Sequence, residues 1–387
     1  MQKNYERLEE EYYGIENEQD DQYDNEETIE YPFDADMIRV DQQMLSLEYL
    51  YRLMKEQNLD LSPTFQRSKV WKEKRRKSLL IESLMLRIPI PAFYFYENEN
   101  ATFTVIDGKQ RLTTIRDFLN DDFALYGLEY LHACEGKKFS QLDAKYQQRI
   151  YRTQFAINTL DVRSPHRVVF DIFRRVNTGG VALNPQEIRN AMASEGTRQF
   201  LKKLSKLEVF KKATRARIND DRMAAQEVVL RYIAFKKLYD EQKGNIDFIY
   251  GDVTSYLDTT IMELRKAAKD TYIEYEESFA KAMKMGAAIF GKFAFTKCYL
   301  EGETIYNNLD IINKTLFTSW SVVLSDPKYQ REKILGCREE IVKQVAYRIT
   351  YDTSYANAIT LGTNGRRSVN IAFEVAKEIL EEVLHND

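Results

Sequence analysis

Five consecutive residues, Asp107-Gly108-Lys109-Gln110-Arg111, gather a carboxylate, a carboxamide and two cations around one glycine. The preceding run, Phe103-Thr104-Val105-Ile106, is β-branched and aromatic, and Leu112, Ile115, Phe118 and Leu119 then recur at helical spacing. The pattern predicts a strand, a tight turn and a helix. A helix start leaves backbone N–H groups without intrahelical partners and carries partial positive charge, so such a turn can hold an anion, most naturally a phosphate. The same residues also fit a structural role. Asp107 as N-cap with Gln110 three residues on is the pattern of a capping box, and Gly108 then only makes the turn.

Three other groups of residues could meet phosphate. Arg67 stands between Phe65 and Trp71 in a segment that also holds Lys69, Lys72, Lys74, Arg75, Arg76 and Lys77. Arginine forks suit phosphate oxygens, and several cations together suit a polyphosphate or a nucleic-acid backbone, although the lysines equally suit a solvated helix start. Phe170 to Gly180 reads as a helix ended by Asn177-Thr178-Gly179-Gly180, an ordinary C-cap. Alternatively Arg175 and Asn177 project into the cleft of the Asp107 turn, with Gly179 and Gly180 allowing close backbone approach. Arg198 to Arg217 carries Arg198, Lys202, Lys203, Lys206, Lys211, Lys212, Arg215 and Arg217 against Glu208 alone. It is the strongest DNA-backbone candidate in the chain, with a solvated helix face as the alternative.

The elements that must position these groups alternate at first and then become uniform. Met37 to Val40 suggests a short strand, and Ser46 caps a helix with Leu47, Leu50, Tyr51 and Met54 on one face. A second helix presents Ile81, Leu84, Met85 and Ile88 and is closed by Pro89; Pro91 to Tyr96 is a strand with Phe93 and Phe95 toward the core. A polar helix, Ser140 to Arg152, leads to a strand, Phe155 to Val162, and Asn184-Pro185 opens the next helix with proline at its first position. From about residue 186 the pattern is helical, with Arg222 to Tyr239, Leu257 to Phe290, Trp320 to Leu324 and Val369 to Leu384 as core-forming stretches. The class is therefore α+β. Residues 1–30 form an acidic tail expected to be disordered, 31–185 a mixed domain and 186–387 a helical domain.

Composition narrows the class further. A chain of 387 residues that is 44% hydrophobic and 12% aromatic can bury a substantial core. It contains no run of about 18 apolar residues, and its N-terminus is acidic, so neither a membrane partner nor a secretion signal is expected. Cys134, Cys298 and Cys337 lie far apart, which suggests no zinc knuckle or disulfide framework and fits a reducing cytoplasm; neither zinc nor haem is expected. Residues 1–30 hold twelve Asp and Glu against Lys3 and Arg7, a net charge of −10 that leaves +6 for the rest of a chain whose total is −4. Such a tail buries too little apolar surface to offset its ordering entropy, and it could shield a basic, nucleic-acid-facing body.

Four segments together carry a resemblance. They are Phe65-Gln66-Arg67 with Val70-Trp71; Ile81-Glu82-Ser83 with Ile88-Pro89-Ile90-Pro91; Ile106-Asp107-Gly108-Lys109-Gln110-Arg111-Leu112-Thr113-Thr114; and Phe173-Arg174-Arg175-Val176-Asn177-Thr178-Gly179-Gly180. In this order they resemble the N-terminal domain of GmrSD-type modification-dependent restriction enzymes, related to the ParB and sulfiredoxin nucleotide-binding fold. The resemblance implies a ParB/sulfiredoxin-like domain that binds, and in this family hydrolyses, a nucleoside triphosphate with Mg²⁺ in anti-phage defence. Asp107, Gly108, Gln110 and Arg111 match the family's turn, while Lys109 replaces the usual glutamine. By the same resemblance Asp107 is the candidate Mg²⁺ ligand or water-orienting group. Gln110 and Arg111 complete the catalytic set, and Gln66, Arg67, Gly108, Lys109, Arg175, Asn177, Gly179 and Gly180 surround the nucleotide. Restriction enzymes of this type carry a C-terminal HNH nuclease. The three histidines here, His132, His166 and His385, form no such arrangement, so a separate nuclease or other effector is the expected partner. Two alternatives stay open: a DNA-binding or DNA-cleaving ParB-like protein, and a non-catalytic interaction module.

Overall fold

The computed structural model describes residues 12–16, 39–61, 74–98, 100–161, 163–176 and 183–385. Contacts divide the chain into two compact units, residues 31–192 and residues 193–387 joined by part of the N-terminal segment. The expected short strand at Met37 begins outside the described residues. What is seen is β1 (Val40–Ser46), followed by α1 (Leu47–Lys55), β2 (Leu59–Asp60), α2 (Lys74–Leu86), β3 (Phe93–Glu97), β4 (Phe103–Asp107), α3 (Lys109–Leu119), α4 (Ala144–Tyr151), β5 (Gln154–Leu160), α5 (His166–Val176) and α6 (Pro185–Met192).

The five strands form one mixed sheet in the order β1-β5-β3-β4-β2. β1 pairs antiparallel with β5, β5 parallel with β3, β3 antiparallel with β4, and β4 parallel with β2. A register shift between Tyr94 and Phe95 sets Tyr94 opposite Asp107, the last residue of β4. Phe93 and Phe95 lie on the inner face as their alternation requires, in a core with Leu47, Leu50, Leu84 and Phe118. Thr104 and Ile106, which alternate with Val105, are buried on the opposite side, and α5 and α6 pack against β4.

Local chemistry explains most element ends. The Ser46 hydroxyl accepts from the Tyr49 N–H at 3.2 Å and starts α1. α2 stops at Leu86 because Arg87 takes a left-handed conformation with φ of 60°, which turns Ile88 out to solvent and off the apolar face expected of it. The loop after α3 is tied to α2. Ser78 accepts from the Tyr126 N–H, and buried Glu82, one turn on, accepts from the N–H groups of Glu129, Tyr130 and Leu131 at 3.0, 2.8 and 2.7 Å.

The second unit is helical, as the apolar periodicity requires: α7 (Glu195–Ser205), α8 (Glu208–Ala213), α9 (Ala224–Leu238), α10 (Val253–Leu264), α11 (Lys269–Phe290), α12 (Lys314–Leu324), α13 (Arg331–Gly336), α14 (Arg338–Tyr351), α15 (Thr353–Ala358) and α16 (Arg366–His385). A hairpin of β6 (Tyr299–Glu301) and β7 (Thr304–Tyr306) interrupts it. Tyr232, Phe317 and Trp320 are buried in its interior. Within the stretch expected to be a disordered tail, residues 12–16 are instead seated on this unit. Ile15 bridges to Ile312, the Glu16 carboxylate meets Lys297 and Asn313, and Gly14 lies so close to Arg217 that a β-carbon would overlap its carbonyl. Acidity alone pointed to disorder; the apolar and glycine positions of Tyr12-Tyr13-Gly14-Ile15 supply the packing that composition averages away.

Candidate functional site

β4 delivers Asp107 to its end, and the chain then reverses through Gly108, which has φ of 96° and is the N-cap of α3. Glycine is required here twice over. Only glycine adopts this conformation readily, and a β-carbon would overlap the buried Phe93 ring. No side chain caps α3. The capping box expected of Asp107 and Gln110 is therefore not formed: the helix begins one residue later than that pattern requires, and Asp107 remains in the strand. A reciprocal box does form at α6, where the Asn184 N–H donates to Glu187 Oε2 and the Glu187 N–H to Asn184 Oδ1, both at 2.7 Å.

The Asp107 carboxylate instead meets Arg111, whose Nη2 donates to Oδ2 at 2.9 Å. The same nitrogen donates to the Ala92 carbonyl at 3.1 Å, Nη1 donates to the Pro91 carbonyl, and the guanidinium carbon lies 4.4 Å from the centre of the Phe93 ring. Burial lowers the pKa of Arg111, an effect that the ion pair and hydrogen bond with Asp107 oppose. The Arg111 side chain is 14% exposed and that of Asp107 35%, so the pair is screened from water on the Arg111 side and open on the Asp107 side. Gln110 is exposed and Lys109 half-buried. The turn thus holds a carboxylate, an uncapped helix start, a cation and an exposed carboxamide within five residues. Phosphate-bound Mg²⁺ needs only one or two protein carboxylates, and Asp107 fits that demand. Among the described residues no group of three or more His, Cys, Asp or Glu side chains is placed to hold a metal ion by itself.

The remaining sequence candidates divide. Arg175 is exposed in the last turn of α5, the helix that packs against β4, and so belongs to the same unit as the turn. Gln66, Arg67, Asn177, Gly179 and Gly180 lie outside the described residues. The basic stretch of the helical unit is partly neutralised by the fold. Lys203 pairs with Glu276, Lys211 with Glu208, and Arg215 and Arg217 both with Asp310. Lys202, Lys206 and Lys212 remain exposed, with no ion pair among the described residues. Glu276 and Asp310 come from distant sequence, so counting acids inside the stretch overstated its free charge.

Two features of the site have no local signature. Pro91, Ala92 and Phe93 form the cradle of Arg111, brought there by the pairing of β3 with β4. α6 buries Gln186, Glu187, Arg189 and Asn190 at 4% exposure or less. The available signal was the polar sequence of a helix opened by Asn184-Pro185 that nonetheless had to sit inside a domain. A comparison with curated proteins gives no significant match. Residues 50–194 match the family model of the GmrSD restriction endonuclease N-terminal domain, a span that includes α2 to α6 and the whole Asp107 turn. This part of the chain is similar to the N-terminal domain of GmrSD restriction endonucleases.

Proposed function

We propose that the chain is the nucleotide-responsive component of a restriction system directed at foreign DNA, with a separate effector for strand cleavage. The phosphates of a nucleoside triphosphate sit at the start of α3, Asp107 holds Mg²⁺ or orients water, and Gln110 contacts the transferring phosphoryl group. One observation carries the reading: α3 starts at Gly108 with no side-chain cap, beside an accessible carboxylate and an unengaged glutamine. Glycine has no side chain to offer the first N–H groups of the helix, which leaves them open to an anion. The family match supports the restriction role.

The test is thermal unfolding with ATP, GTP, CTP or UTP and Mg²⁺, followed by phosphate release on each nucleotide that stabilises. Binding at about 100 times Kd stabilises by about 2.7 kcal/mol. Gln110→Ala is expected to unfold at the wild-type temperature without nucleotide, because the side chain is exposed and unengaged, and to release phosphate at least about tenfold more slowly. A wild-type protein that no nucleotide stabilises would remove the reading.

A further inference from the structure

Two polar side chains of α6 are buried with polar atoms that have no partner among the described residues. Gln186 is fully buried, and neither its carbonyl oxygen nor its amide nitrogen has a hydrogen-bond partner; Asn190 is 4% exposed, and its side-chain oxygen has none. They are four residues apart and share one face of the helix. Their neighbours on α6 are engaged, Glu187 by the cap with Asn184. Buried donors and acceptors are paired in nearly all folded proteins, so two orphaned carboxamides on one helix face call for an occupant, a water or a ligand. α6 packs against β4, whose last residue is Asp107, and against α5, which carries Arg175.

A carboxamide presents an acceptor and a donor side by side. That pair is the complement of a nucleobase edge with an amine beside a ring nitrogen, and glutamine or asparagine against N6 and N7 of adenine is the clearest case. We propose that Gln186 and Asn190 hold the base of the nucleotide and that adenine, which presents this edge on both its N6–N7 and N6–N1 sides where cytosine presents it once, at N4–N3, is the base they fit. This inference rests on the nucleotide reading of the Asp107 turn and adds to it the group that sets base preference. The turn binds phosphate whatever the base; the α6 amides distinguish one base from another. A buried water molecule is the competing occupant, since it would satisfy the same atoms without any selectivity.

Gln186→Met and Asn190→Leu keep side-chain size while removing hydrogen-bonding capacity. Affinity for ATP, GTP, CTP, UTP and inorganic tripolyphosphate, each with Mg²⁺, is measured by calorimetry on the wild type and both variants. The wild type is expected to prefer ATP. In Gln186→Met that preference falls by about tenfold or more, tripolyphosphate binds as before, and the unliganded protein is no less stable, because an unpaired polar group has been removed. ATP affinity unchanged in both variants would overturn the inference and leave the phosphate site standing. Tripolyphosphate and all four nucleotides failing on the wild type would overturn the nucleotide reading itself. Should Gln186→Met not fold, Asn190→Leu carries the same comparison.

Discussion

At Arg111 the guanidinium joins the carbonyls of Pro91 and Ala92 to the Asp107 carboxylate while lying over Phe93. It fastens the segment before β3 to the turn after β4, and this is a positioning role whatever else the residue does. Arg111→Lys keeps the charge but cannot supply the planar fork, so it is expected to lower stability by about 2 kcal/mol. Urea unfolding checks this through the midpoint at unchanged slope, and a wild-type midpoint would show the contacts to be dispensable. For the same reason, loss of hydrolysis in Arg111→Ala would not by itself assign chemistry to Arg111, whereas Gln110→Ala removes no hydrogen bond or ion pair among the described residues. The Asp107–Arg111 pair was legible as a spacing of four residues. The Pro91 and Ala92 carbonyls were not, because strand pairing across about 20 residues puts them there and no local pattern records it.

Among the elements, α2 acts as a beam from which the loop after α3 hangs. Glu82 does most of this, and burial, which would raise its pKa, is outweighed by the N–H groups of Leu131, Glu129 and Tyr130, so the carboxyl titrates below its ordinary range. A depressed folded-state pKa means that the stabilisation is complete above the unfolded-state value and is lost as pH falls through the folded one. Glu82→Gln is expected to cost about 2 kcal/mol at pH 7, and the gap to wild type should narrow as pH falls below about 4. Denaturation at a series of pH values reads this directly, and a gap that stays constant would refute the assignment. Element types were legible from periodicity almost throughout. Their ends were less so where a backbone conformation decides them, as at Arg87 and Gly108, since φ is set by neighbours such as Phe93 that become neighbours only after folding. The polar burial of α6 was hidden for another reason: its residues look solvent-facing until β4 and α5, which come from elsewhere in the sequence, pack against the helix.

On the scale of the molecule, two units share one chain unevenly, and the N-terminal segment belongs to the later one. Ile15 is 4% exposed beside Ile312. Ile15→Asp would bury a charge in place of an apolar contact and is expected to destabilise the helical unit by about 3 kcal/mol or more. Trp320, buried in that unit, provides the signal once Trp71 is replaced by phenylalanine. An unshifted fluorescence transition would mean that the seating of residues 12–16 adds nothing. No helix among the described residues is long and apolar enough to cross a membrane. The seating of this segment also fixes an order in time. The Glu16 carboxylate bonds Asn313 across 297 residues, and at roughly 5–20 residues per second of synthesis that separation is roughly 15–60 s. Throughout that interval the mixed sheet domain can be made and folded on the ribosome, while a segment synthesised before it waits, with Ile15 unburied, for the partner that closes the helical unit around it.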